Sequence, residues 1–126
     1  MGYAARVVNA YLAAFTSGDI ETARALVADD FSFRGPFIQT DSRDAFFAGA
    51  SGLIPIARGH RLLRQWEDGD EVCSIYEFLI QTSAGAGAVA MSEWHTVDEG
   101  RLRAARVVFD TAEFRELVPA RPQTTR

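Results

Sequence analysis

A chain of 126 residues, 48% of them apolar, has room for one domain with a single core and one enclosed pocket, and a second domain does not fit. Thirteen basic side chains against seventeen acidic ones give a formal charge of -4 with no basic run, so neither nucleic acid nor an anionic membrane surface is an expected partner. All thirteen cations are arginine, which excludes Schiff-base chemistry and any lysine base, and the single cysteine, Cys73, has no partner for an internal disulfide.

At the N-terminus Ala4, Val7, Val8, Tyr11, Leu12 and Phe15 recur at helical offsets, with Gly18 at the C-terminal cap. This predicts a helix over residues 3–17 with Tyr11 on its buried stripe. An amphipathic helix here is not a leader, and no apolar run is long enough to span a bilayer, so a soluble cytoplasmic protein is expected. Asp19 caps a second helix with the stripe Ile20, Ala23, Leu26 and Val27. A short strand, "FSFR", leads from Phe31 into Gly35 and Pro36, and "DSRDAFFAGA" opens a third helix that Gly52 and Pro55 end.

After Arg58 the period becomes two. "GHRLLRQWE", "DEVCSIYEFLIQT", "GAVAMSEWHTV" and "RLRAARVVF" are strands, separated by the turn sequences "DGD", "SAGAG" and "DEG". "DTAEFREL" adds a final helical turn, with Asp110 as its N-cap. The predicted class is α+β: a curved antiparallel sheet wrapped around three N-terminal helices, forming a single domain over residues 1–118 with a flexible tail over 119–126.

Residues two apart on a strand share a face. On the third long strand Val89, Met91, Glu93, His95 and Val97 form the more apolar set and are expected inside, which puts a carboxylate and an imidazole together in the interior. The same alternation turns Val72, Tyr76, Phe78 and Ile80 inward, with Ala105, Val107 and Phe109, although Leu102, Ala104 and Val108 are nearly as apolar. A sheet apolar on both faces, with Trp94 on the outer one, predicts a homodimer through the outer sheet face. Arg58, Arg61 and Arg64 do not make one patch on a regular strand, where Arg61 faces away from the other two. The two histidines, His60 and His95, lie on different strands without Cys or Asp at ligand spacing, so no metal and no other cofactor is expected.

This order of elements, with "AYLAAFTSGDIETARALVADDFSF" at one end and "WHTVDEGRLRAARVVFDTAEFREL" at the other, resembles the superfamily of nuclear transport factor 2, ketosteroid isomerase and SnoaL-like polyketide cyclases over nearly the whole chain. The resemblance implies a cone whose open apolar pocket binds a small molecule. It places Tyr11 at the position of the isomerases' helical tyrosine and Glu93 at that of their protonated carboxylic acid, one methylene longer. Where their general base precedes a proline, this sequence has Gly35 before Pro36, a vacancy that argues against steroid-type isomerisation and is expected to widen the pocket mouth. The cyclases' carboxylate on the last strand falls among Ala105, Arg106 and Val107, and the epoxide hydrolases' Asp-Arg-Asp set does not assemble from these strands.

The candidate catalytic residues are therefore His95 as base, with Glu93 or Tyr11 as electrophilic donor. Tyr76, Phe33, Phe46, Met91, Val107 and Phe109 are expected to contact a small apolar ligand. Two readings stand: an acid/base isomerase, cyclase or hydrolase, or a non-catalytic ligand-binding or dimerisation module.

Overall fold

Three N-terminal helices and a long antiparallel meander account for most of the chain. In order, the elements are α1 (Tyr3–Thr16), α2 (Ile20–Ala25), β1 (Val27–Arg34), β2 (Gln39–Thr40), α3 (Arg43–Gly49), a 3-10 turn (Ser51–Ile56), β3 (Ala57–Asp68), β4 (Glu71–Thr82), β5 (Gly85–Asp98), β6 (Arg101–Phe109) and α4 (Thr111–Leu117). The structure, a computed structural model, describes residues 2–119. The tail expected over 119–126 therefore falls, from 120 onward, outside the described residues.

Helix α1 buries Ala4, Val8, Tyr11 and Leu12, the face its periodicity marks, and Gly18 follows its end at φ 83°, a left-handed conformation that glycine adopts without a Cβ clash. Asp19 caps α2 through Thr22 and Ser42 caps α3 through Ala45. Val27 is not on the stripe of the second helix. It begins β1, because the Leu26 carbonyl at the end of α2 accepts the Leu102 amide at 2.8 Å and draws the chain into the sheet.

The six strands run in the order β2-β1-β6-β5-β4-β3. Consecutive strands β3 to β6 pair antiparallel, whereas β1 joins β6 in parallel, so the sheet is not antiparallel throughout. β4 and β5 pair without a break, and their inward residues Val72, Tyr76, Phe78, Val89 and Val97 are buried against α1 and its neighbours. Each fully buried large side chain there stabilises the fold by roughly 1.5–3 kcal/mol.

Bulges rephase the alternation that regular strands predict, two of them at residues whose facing matters here. Thr96 pairs with Ala104 but Val97 pairs with Leu102, which leaves Arg103 extra and turns both Leu102 and Ala105 inward. On β3, Leu62 pairs with Tyr76 and Arg64 with Ile75, so Leu63 is extra and Arg61 shares the outer face with Arg64 instead of opposing it. No helix among the described residues is long and apolar enough to cross a membrane.

Candidate functional site

Strand register carries the polar pair into the interior. Glu93 stands opposite Ser74 on β4 and Val107 on β6, and His95 stands opposite Val72 and Ala105. Glu93 is 4% exposed and His95 0%, beneath α1, where the Tyr11 ring meets the His95 ring edge-on at 5.7 Å between centroids. From β4, the Tyr76 hydroxyl donates to Glu93 Oε1 at 2.7 Å. The other carboxylate oxygen lies 3.4 Å from His95 Nε2, close but without hydrogen-bond geometry. Tyr11 has no hydrogen-bond partner for its hydroxyl among the described residues, and it lines the cavity described next.

Burial alone pushes the Glu93 carboxyl upward, but the His95 charge, the closeness of its ring nitrogen and the Tyr76 hydroxyl outweigh that and hold it below the ordinary glutamate value. Burial, and then the Glu93 charge, drives both the Tyr11 and Tyr76 phenols well above the ordinary tyrosine value, so both remain protonated donors at neutral pH. The arrangement is a carboxylate clamped from behind, with a neutral phenol available beside it.

A cavity of about 350 Å³ opens onto this group between the sheet and the helices. Its lining includes Tyr11 and Glu93 from the candidate catalytic set, and Tyr76, Phe33, Phe46, Met91, Val107 and Phe109 from the candidate ligand contacts. His95 is not on that lining. It is fully buried behind Glu93, with Nε2 beside the carboxylate, so the geometry does not put the His95 ring against a molecule in this cavity.

Sequence reasoning did not find the outer end of the cavity, which Phe37, Phe114 and Arg115 line. The Phe37 ring packs on Phe109 and Phe114 at 5.8 and 5.5 Å, and the Arg115 guanidinium lies 4.0 Å over it. These residues meet only because α4 folds back over the loop after β1. The aromatic on each side of Gly35 and Pro36 was the available signal.

Gly35 lines the cavity without widening it. A Cβ there would come within 2.9 Å of the Phe33 ring and 3.1 Å of Val107 Cγ1, so Phe33 already occupies the space a side chain needs. Arg34 turns away, donating to the Phe33 and Thr40 carbonyls and pairing with Asp41 at 2.8 Å. Asp110 accepts from Ala112 and Glu113 as the cap of α4. Among the described residues no three His, Cys, Asp or Glu side chains gather into a metal site.

A curved sheet folded around N-terminal helices, with an apolar pocket between them, defines the nuclear transport factor 2-like class of cone folds. Within that class the SnoaL-like domain family matches residues 8–108, and the chain belongs to that family. Among solved structures it is similar to a nuclear transport factor 2-like protein of unknown function from Burkholderia pseudomallei, with a TM-score of 0.79, 20% identity, and coverage of 95% of this chain and 100% of that one. It is also similar to an LEH-like epoxide hydrolase from M. tuberculosis, with a TM-score of 0.79, 21% identity, and coverage of 92% and 90%. A protein from Kribbella flavida matches with a TM-score of 0.77, 26% identity, and coverage of 90% and 91%. Among curated proteins the sequence has no match.

Proposed function

We propose that the protein binds a small, mostly apolar organic molecule in the cone and can act on it by acid/base chemistry through Glu93. The observation that carries this reading is the placement of one carboxylate, held low by His95 and Tyr76, on a mostly apolar lining beside the unpartnered Tyr11 hydroxyl. Such a carboxylate can take a proton from carbon next to a ligand carbonyl while the Tyr11 O–H hydrogen-bonds to the enolate oxygen that forms. The proton returns to a different carbon, and the net change is an isomerisation. His95 touches no ligand in this scheme and is a positioning residue. Glu93 is the only carboxylate on the cavity lining among the described residues, so an Asp-Arg-Asp hydrolase arrangement has no support here.

A second reading, binding without catalysis, is favoured by the engagement of both Glu93 oxygens, since a carboxylate already held by two partners is a weakened base. Both readings require an accessible cavity. The neutral fluorophore N-phenyl-1-naphthylamine should brighten on binding the wild-type protein and lose that response in Gly52→Trp, because Gly52 lines the cavity and has open space for a Cβ. No response from folded wild-type protein would remove both readings.

We also propose a homodimer through the outer sheet face. Trp66 and Trp94 flank Cys73 in one cross-strand row there and are 56% and 52% exposed. Arg64 and Arg106 share that face with Asp68 and Glu71, a mixture of signs that a two-fold axis can make self-complementary. Sedimentation should give a dimer for the wild type and a monomer for Trp94→Glu. A monomeric wild type at tens of micromolar, on the order of usual assay conditions, overturns it.

A further inference from the structure

Two charged residues line the cavity among those described, Glu93 at its floor and Arg115 at its outer end. Between them the wall is apolar: Met91 stands one inward position along β5 from Glu93 and pairs with Phe109, whose ring meets Phe37 and Phe114. Arg24, Arg34, Arg43, Arg61 and Arg103 each pair with a carboxylate. Arg115 has none among the described residues, although Glu113 and Glu116 are close in sequence.

Arg115 is nevertheless held in place. Its guanidinium carbon lies 4.0 Å from the centre of the Phe37 ring and 5.9 Å from that of Phe114, and one nitrogen donates to the Val118 carbonyl at 3.3 Å. A guanidinium holds five N–H donors in one plane, and only one of them is used here. That is the fork a carboxylate accepts from. The carboxylate at the floor already accepts from Tyr76 and lies against His95, at the opposite end of the cavity from Arg115.

We infer that the ligand is an apolar carboxylic acid that enters ring-first and leaves its carboxylate on Arg115 at the mouth. This rests on the cavity-binding reading above and adds the polarity of the ligand to it. The deep end of such a molecule meets the Tyr11 hydroxyl and Glu93, so the acid is a recognition handle at the end of the ligand away from those groups.

The test is displacement of N-phenyl-1-naphthylamine by biphenyl-4-carboxylate and by its neutral isostere biphenyl-4-carboxamide, in the wild type and in Arg115→Gln. The wild type should prefer the carboxylate by roughly three- to tenfold, the size expected of one partly exposed charge-assisted pair. In Arg115→Gln the preference should vanish while the amide competes as before, and in the wild type about 0.5 M salt should shrink it. Equal competition by acid and amide in the wild type, or a preference that survives Arg115→Gln, overturns the inference and leaves the cavity reading standing. If the fluorophore binds and neither biphenyl displaces it, the acid inference also fails alone. If the fluorophore does not bind the wild type, the cavity reading falls and this inference with it.

Discussion

The Tyr76 hydroxyl and the Glu93 carboxylate form one hydrogen-bonded unit across β4 and β5, 2.7 Å from donor to acceptor and nearly buried at the cavity wall. Tyr76→Phe removes a hydrogen bond to a charged acceptor with little change in volume. It should destabilise the protein by about 2 kcal/mol, measured by denaturant unfolding. It also removes one of the influences holding the Glu93 carboxyl low, so the carboxyl resonance should titrate at higher pH by ¹³C NMR. An unchanged titration would show that Tyr76 does not set the charge of Glu93.

His95 answers the carboxylate from the other side. His95→Leu leaves the buried Glu93 carboxylate facing an apolar side chain and should cost about 3–5 kcal/mol, as removing one partner of a buried pair does. Replacing both partners, Glu93→Leu with His95→Leu, should recover part of that loss, because no buried carboxylate is then left without its partner. Strictly additive losses in the double-mutant cycle would deny the coupling.

The pH dependence of stability follows from the same pair. The Glu93 carboxyl lies lower in the folded protein than in the unfolded chain, so the unfolded state binds the proton more readily. Its contribution is present above the unfolded value, near pH 4.3, and is lost as pH falls through the lower folded value. Glu93→Gln should therefore flatten the acid limb of the stability curve. A mutant limb as steep as the wild-type one assigns acid unfolding to other groups.

Glu67 on β3 accepts the Gly2 amide at 2.8 Å and the Ala5 amide at 2.9 Å, capping α1 from a residue far away in sequence. The Ala5 amide, against an opposing desolvation and aided by the Gly2 amide, holds this exposed carboxyl low. Glu67→Ala should speed amide exchange in the first turn of α1 while the β4–β5 amides keep their protection, and Glu67→Gln should have a smaller effect. The capping contribution is likewise lost as pH falls below the unfolded glutamate value. Unchanged exchange at Ala5 in Glu67→Ala would rule the cap unimportant.

Gly35→Asp, which puts a carboxylate where the resembling isomerases carry one, should destabilise by about 1–3 kcal/mol, because its Cβ presses on Phe33 and Val107. Pairing it with Phe33→Leu should relieve part of that cost. Stability equal to wild type in Gly35→Asp alone would mean that Phe33 yields freely.

Much of the fold was legible because its signals are local. The offsets of Ala4, Val8, Tyr11 and Leu12, and the alternation from Val89 to Val97, report burial along one element at a time. The parallel pairing of β1 with β6 was not legible, nor was the extra residue at Arg103 or Leu63, since a bulge is defined by the partner strand. For the site, Glu93 and His95 were visible as inward residues, but alternation cannot distinguish a side chain on a cavity wall from one behind it. Arg115 was hidden for a related reason: on α4 it reads as a surface charge in the last turn.

By itself, the sequence determined the alternation of helices and strands, the inward face of β5, the absence of lysine, and a family wording specific enough to identify the cone. Only the tertiary structure decided that Glu93 reaches the cavity while His95 does not, that Phe33 fills the space beside Gly35, and that Arg115 stands over Phe37 at the cavity's outer end. The physical reason is range. Side-chain periodicity reports which face of an element is buried, whereas the charge state of Glu93 and the shape of the pocket depend on distances between strands and helices that are far apart along the chain.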